Sequence, residues 1–520
     1  MRTEERTSVK NSIGRLVFVT LSVIMQVIWI CVLVIRLNRY SVGISLFSSI
    51  ASFLIVLRLY GTHTNAAYKM PWIMLIMAFP IMGLCLYLML GYPGITRGMR
   101  RRFENIDSGL LGRLYQDEQV QEQMQKSSLN AANQSGYIWK HGGYPVYQNT
   151  EVSFYRDTIR GLEEQKKELL RAEHFIFMEY HAIEDAEAFG GIRKILAEKA
   201  AEGVEVRVIY DDIGSIGFIN PDFISRMEAD GIACRVFNPL IPFLNVFMNH
   251  RDHRKITVID GQVGFTGGYN LADEYFNITH PYGQWKDSGL KLTGDAVTSL
   301  TVMFLEMWNA IQMTDSDYDK YLSAACRTGD SMTVPAKMQC FVQPYADSPL
   351  DDELVGENVY MNLVRSAETY VYFTTPYLII SDEFGRELEL AAKRGVDVRI
   401  VTPGIPDKAV VYKLTRSYYA GLVRTGVRIY EYTPGFLHAK QCICDGRLAV
   451  CGTINLDYRS LYLHFENGVL LYNCDAIKDM RRDFDELFEA SREVTKNYQS
   501  KRSTMLRMGE CILRLFAPLM

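Results

Sequence analysis

Two stretches of this 520-residue chain set a histidine two positions before a lysine and seven before an aspartate. The first, "NHRDHRKITVIDGQVGFTGGYN", carries His253, Lys255 and Asp260. The second, "LHAKQCICDGRLAVCGTINLDYRS", carries His438, Lys440 and Asp445 at the same offsets, 185 residues later. Each runs through apolar residues to a glycine followed three positions on by an asparagine: Gly267 with Asn270, and Gly452 with Asn455. Side chains alternate along a strand, so each histidine faces the same way as its lysine. Paired about a pseudo-twofold axis, the copies would direct two imidazoles and two ammonium groups into one pocket. That set suits a phosphate diester: lysines neutralise its charge and stabilise a five-coordinate transition state, and the asparagines add neutral donors. One imidazole can attack phosphorus while the other protonates the leaving alcohol. Asp260 and Asp445 fall on the opposite strand face and are expected to support the fold more than touch substrate.

One such triplet is a weak pattern; two inside a duplicated chain are specific. His250 and His253 have H-x-x-H spacing without a carboxylate cluster, so no metal and no cofactor are expected. His174 and His181 read as fold or pocket lining. The ten cysteines show no metal-ligand spacing and read mostly as small buried hydrophobes. A net charge of −4 and a pI near 6.2 argue against a nucleic-acid partner.

The elements that must position these residues are themselves repeated. "LLRAEHFIF" matches "LVRSAETYV", and "EGVEVRVIYDD" matches "RGVDVRIVTPG", with Gly203 and Gly395 offset by 192. Strands alternating with helical stretches indicate an α/β class: two similar halves, each a mixed sheet flanked by helices, behind an N-terminal transmembrane region. The expected divisions are 1–95 transmembrane, 96–134 linker, 135–328 first half, 329–352 linker, 353–500 second half and 501–520 an amphipathic C-terminal helix.

Leu16–Ile35 is an uncharged run long enough to cross a bilayer. Ser41–Leu57 is shorter, and Met70–Tyr92 is long enough to span with Pro80 as a kink, giving two or three spans. Three spans divide the flanking basic residues evenly, whereas two spans gather the large clusters on one side, the cytoplasmic one. At the C-terminus, Met505, Met508, Ile512, Leu515 and Phe516 alternate at helical spacing with Lys501, Arg502, Arg507 and Arg514, as in an interfacial helix. The apolar "NPLIPFLNVFMNH" ahead of His253 is a candidate mouth toward lipid.

The doubled motif followed by G-G-x-N or G-T-x-N resembles the phospholipase D superfamily. With the N-terminal spans, "NHRDHRKITVIDG" and "GTINLDYRS", the chain is most similar to its bacterial cardiolipin synthase family. The resemblance implies a multi-pass protein of the bacterial cell membrane that converts two phosphatidylglycerol molecules to cardiolipin and glycerol, without a metal, through a phosphatidyl-histidine. It implies His253 as nucleophile and His438 as general acid, then base. It also implies a carboxylate behind each histidine, for which Asp287 in "QWKDSGLKLTG" and Glu466 in "LHFENGVLL" occupy the matching places. Transfer to serine or ethanolamine, or hydrolysis, would use the same constellation. Oligomeric state is not legible.

Overall fold

The computed structural model describes residues 3–38, 42–62, 66–92, 97–241, 249–315, 317–322, 340–499, 504–515 and 517. The first half forms a 7-stranded sheet from β1 (Thr150–Tyr155), β2 (Phe175–Tyr180), β3 (Glu205–Asp211), β4 (Ala233–Phe237), β5 (Lys255–Ile259), β6 (Val263–Gly267) and β7 (Gly289–Gly294), in the order β1-β7-β6-β5-β2-β3-β4. The second half uses β8 (Phe341–Asp347), β9 (Tyr370–Thr374), β10 (Asp397–Pro403), β11 (Arg428–Tyr432), β12 (Gln441–Cys444), β13 (Leu448–Gly452), β14 (His464–Tyr472) and β15 (Ser491–Glu493). Their order, β8-β14-β13-β12-β9-β10-β11-β15, repeats the first with one strand added. In both sheets the central strand pairs in parallel on one side and antiparallel on the other. Helices Glu187–Ala201 and Asp382–Lys393 provide the matching crossovers a parallel pair requires. Strand β2 is buried at every position, as a central strand covered on both faces should be.

The halves share one core. Helix Val297–Ile311, buried through almost its whole length, brings Phe304 onto Phe177 of β2, with ring centroids 4.5 Å apart, and joins a cluster that also holds Val342 of β8 and Val469 of β14. Two expected linkers are therefore structured. Within 96–134, helices Arg97–Leu110 and Glu118–Ser127 bury Phe103, Ile106, Leu110 and Met124, an amphipathic pattern masked by charge. Strand β8 lies inside 329–352; its Pro344 makes the segment look unlike a strand, but β8 ends the sheet order, where proline is tolerated.

The N-terminal region comprises α1 (Thr3–Asn38), α2 (Val42–Gly61), α3 (Ala66–Ala78) and α4 (Pro80–Leu90). In α1, Leu16–Arg36 is long and apolar enough to cross a membrane. The run Met70–Tyr92 is not one span with a kink. At Phe79 the backbone leaves helical geometry (φ −136°, ψ 76°) and the two short helices fold back on each other. At 13 and 11 residues, each falls short of the roughly 20 that a bilayer core needs. Val19 of α1 packs on Ile216 and Leu240, tying this region to the first half.

Helix Thr504–Leu515 lies within the expected C-terminal amphipathic segment. It runs beside Ala409–Val423 and touches α3. Arg514 donates to the Ser417 carbonyl at 2.5 Å and stacks over Tyr418, so one face is docked on protein while Met508 stays exposed. Residues 242–248 of the candidate mouth, Phe243, Leu244, Val246, Phe247 and Met248 among them, lie outside the described residues; at its edge Leu240 is buried and Ile241 exposed. Cys234, Cys442, Cys444 and Cys451 are buried apolar residues as expected, but Cys340 and Cys474 are joined as a disulfide.

Candidate functional site

The histidines are positioned by an exchange between the halves. Arg251–Asp252, just ahead of His253, pairs in parallel with His464–Phe465, just ahead of Glu466. Reciprocally, Gly435–Leu437, just ahead of His438, pairs in parallel with Gln284–Lys286, just ahead of Asp287. The His253 amide donates to the Phe465 carbonyl at 2.9 Å, and the His438 amide to the Lys286 carbonyl at 2.7 Å. Each imidazole consequently meets the other half's carboxylate: His253 Nδ1 lies 2.9 Å from both Glu466 oxygens, and His438 Nδ1 lies 2.7 Å from Asp287 Oδ2. A carboxylate on Nδ1 holds the proton there and leaves Nε2 for chemistry.

Both histidines line one cleft of about 770 Å³, together with Asn270 and Asn455. Asn270 is held by the Ala182 amide at 3.1 Å and by Tyr275 at 2.7 Å, while Asn455 Oδ1 is buried without a hydrogen-bond partner among the described residues. Lys255 and Lys440 lie buried beneath, each donating to the carbonyl of its own histidine. Burial lowers Lys255 to about 7, helped by the charge of Lys440 and opposed by Glu466, and lowers Lys440 to about 8 against the pull of Asp287 and Glu466. Burial and Lys440 lower His438 to about 3, against the pull of Asp287; burial and Lys255 likewise push His253 well down. The cleft thus holds two neutral imidazoles beside two buried lysines whose charged form a bound anion would favour.

The carboxylates differ. Burial raises Asp287, but Lys440 and His438 outweigh it and hold the carboxyl below its usual range. Glu466 is pushed well up by burial, despite Lys255 and the hydroxyl donors Ser460 and Thr453.

Asp260 and Asp445, the third members of the two motifs, do not line the cleft. Each has a left-handed backbone (φ 52° and 50°) and receives three successive amides at the start of a strand. Asp260 takes those of Glu173, His174 and Phe175 at 2.8 Å; Asp445 takes those of Glu368, Thr369 and Tyr370 at 2.7–2.9 Å. Their carboxylates act as braces, capping donors that a turn would otherwise leave unpaired.

Besides His181, which the sequence offered as fold or pocket lining, the cleft holds several residues that escaped the sequence reading. His181, whose Nδ1 meets the Asp252 carbonyl at 2.7 Å, lies edge-on to His253 with centroids 5.0 Å apart; the His464 ring lies 5.6 Å from that of His253. His174, by contrast, does not line the cleft. Around His438 stand Tyr275, Trp285 and Phe436, with centroids 5.2–5.8 Å away. Four positions past each motif asparagine the halves diverge to opposite charge: Glu274 in the first, Arg459 in the second, both facing the cleft. Superposing "NLADE" on "NLDYR" would have exposed that contrast. The Arg459 Nε donates to His464 Nε2 at 3.4 Å. Among the described residues, one trio of potential metal ligands has donor atoms within 4.8 Å of one another: His253, His464 and Glu466. The Glu466 oxygens are already engaged by His253, Thr453 and Ser460, and Lys255 lies close enough to repel a cation.

The chain matches the family described as cardiolipin synthase, PLD-like domain, over residues 166–308 and 360–488, and the phospholipase D-nuclease N-terminal family over 48–91. A cardiolipin synthase of Geobacillus kaustophilus is 31% identical over 92% of this chain and 93% of its own, and cardiolipin synthase 2 of Bacillus cereus is 32% identical over 91% and 90%. An uncharacterised protein of Streptococcus mutans is 41% identical over 89% of this chain and 99% of its own. Among solved structures, a phosphatidylserine synthase of Haemophilus influenzae shares the fold at a TM-score of 0.52 and 14% identity, over 71% of this chain and 93% of that one.

Proposed function

Because the chain belongs to the cardiolipin synthase family of phospholipase D-like proteins, we propose that it moves a phosphatidyl group from one phosphatidylglycerol to another, giving cardiolipin and glycerol. The observation that carries the reading is the reciprocal bracing of two neutral imidazoles, each by the other half's carboxylate, above two buried lysines in one cleft.

The phosphodiester lies between the histidines, its charge met by Lys255 and Lys440 and its oxygens by Asn270 and Asn455. His253 Nε2 attacks phosphorus; a P–N bond forms as the bond to the glycerol oxygen breaks. His438, protonated once the bound anion offsets the lysines that depress it, gives its proton to that oxygen, and glycerol leaves. A hydroxyl of the second lipid then passes its proton to His438 and attacks phosphorus. The P–N bond breaks, its electron pair returns to His253, and both imidazoles are restored. Glu466 and Asp287 keep the imidazoles in the reactive tautomer throughout. No step uses a metal.

We infer that the reaction takes place at the bacterial cell membrane, with α1 and α2 crossing it and the catalytic body on the cytoplasmic side; the apolar Leu16–Arg36 of α1 supports the membrane setting. The deciding experiment supplies purified protein with phosphatidylglycerol vesicles, with and without EDTA, and reads lipid products by mass spectrometry. Cardiolipin with glycerol release in both conditions is expected. Phosphatidic acid as the sole product would make the protein a hydrolase, and activity restored to EDTA-treated protein by one divalent ion would overturn the metal-free scheme.

A further inference from the structure

The hairpin of α3 and α4 carries contacts that fix its depth. The Trp72 and Tyr87 rings lie 5.6 Å apart, whereas a continuous helix would separate those residues by about 22 Å. Gly83 sits so close to the opposing helix that a Cβ there would come within 2.6 Å of the Leu75 carbonyl. At the turn, Ser52 Oγ donates to the Pro80 carbonyl at 3.1 Å, and Ser52 lies at the middle of the 20-residue α2. At the feet, Lys69 donates to the Thr62 carbonyl at 2.7 Å, and the Arg58 guanidinium stands over the Tyr92 ring at 5.5 Å. Both feet are therefore at the C-terminal end of α2 and the tip is halfway along it.

A 20-residue helix is about 30 Å long, one hydrocarbon thickness. The hairpin's outer surface exposes Met70, Met74, Met77, Phe79 and Leu88, which favours lipid over water. Its turn is also fit for a place without water. Pro80 has no amide to satisfy, its carbonyl is taken by Ser52, and the Phe79 amide and carbonyl are bonded to Leu75 and Gly83.

We propose that residues 66–92 form a re-entrant hairpin, dipping to mid-membrane and returning to the face it left, while α1 and α2 make the two crossings. The basic residues then cease to divide evenly. Arg2, Arg6, Lys10 and Arg15, the feet residues Arg58 and Lys69, and Arg97, Arg100, Arg101 and Arg102 share the face of the catalytic body, against Arg36 and Arg39 between α1 and α2. Such a bias makes that face cytoplasmic. The proposal is independent of the reaction assigned to the cleft.

Variants carrying one introduced cysteine, in a background with Cys31, Cys85, Cys326 and Cys511 replaced by Ser and read against that background, test it by labelling with a membrane-impermeant maleimide in intact cells and in inverted vesicles. Asn38→Cys is expected to react only in intact cells. Ala66→Cys, Tyr92→Cys and Tyr115→Cys should react only in inverted vesicles, and Phe79→Cys in neither. Thr62→Cys replaces Ala66→Cys if the latter does not accumulate. Ala66 and Tyr92 reacting from opposite sides would make the run a span, and a reactive Phe79→Cys would mean a hairpin resting on the surface. All positions exchanging sides together would overturn the cytoplasmic orientation.

Discussion

At the residue scale, the two histidines are alike in burial and in having a carboxylate on Nδ1, yet they are assigned different work. His253→Ala and His438→Ala should each lower turnover by at least about 10³-fold, since residues acting as a unit are grossly non-additive. They should differ with a donor whose leaving group needs no proton: the His438 variant still forms a phosphorylated adduct and the His253 variant does not. Trapping labelled phosphate on the protein reads this directly, and the opposite pattern would exchange the roles. The lysines provide a second test. Lys255 and Lys440, lowered by burial to about 7 and about 8, lose their charge as pH rises through those values in the free enzyme. KM for phosphatidylglycerol should therefore climb through that window, while kcat, set in a complex where the bound anion keeps the lysines charged, changes less. A KM that stays flat would show the ammonium groups to be fully charged without substrate.

At the scale of elements, the histidine and lysine offsets were legible because strand alternation puts positions i and i+2 on one face. The partners of each histidine were assigned to Asp287 and Glu466, but their exchange between halves was not legible. It depends on pairing the two-residue strand Arg251–Asp252 with a strand some 213 residues away, and so short a segment has no period to read. The hairpin was hidden for a related reason: proline inside an apolar run is compatible with a kink or a reversal, and the choice lies in contacts the run does not spell out, Gly83 against Leu75 and the distant Ser52 on the Pro80 carbonyl. The aspartates of the doubled motif follow their expected structural role. Replacing Asp445 with Ala removes an acceptor for three backbone amides and leaves a Cβ residue at φ 50°, which should cost about 2–4 kcal/mol. Asp445→Asn should cost less, because it keeps an oxygen and tolerates that backbone. A lowered melting temperature with unchanged turnover per folded molecule is the expected result; lost turnover in fully folded protein would return Asp445 to the chemistry.

At the scale of the whole molecule, the cleft, the membrane helices and the C-terminal helix are linked. Ala409, Val410 and Val411 line the cleft at the start of a helix that carries Thr504–Leu515, which in turn touches α3. Val410 and Ile213 are apolar, cleft-lining and exposed, at 48% and 36%. Replacing both with Ser should impair turnover on vesicles several-fold more than on a short-chain soluble diester, because the cost falls on contact with lipid. Equal losses on both substrates would place them in chemistry or packing instead.

The reciprocal bracing of the histidines also says something about ancestry. Neither half contains a complete catalytic pair, for each carries an imidazole whose carboxylate resides in the other. A progenitor consisting of a single half would have been unable to work as a monomer, but two identical copies docked face to face would have braced each other by symmetry. Joining two such copies in one chain would remove the need for them to find one another and release them from being identical. Glu274 and Arg459, equivalent in position and opposite in charge, are what that freedom looks like. A symmetric dimer must present the same side chain twice, whereas the fused chain can give its two ends of one cleft different partners.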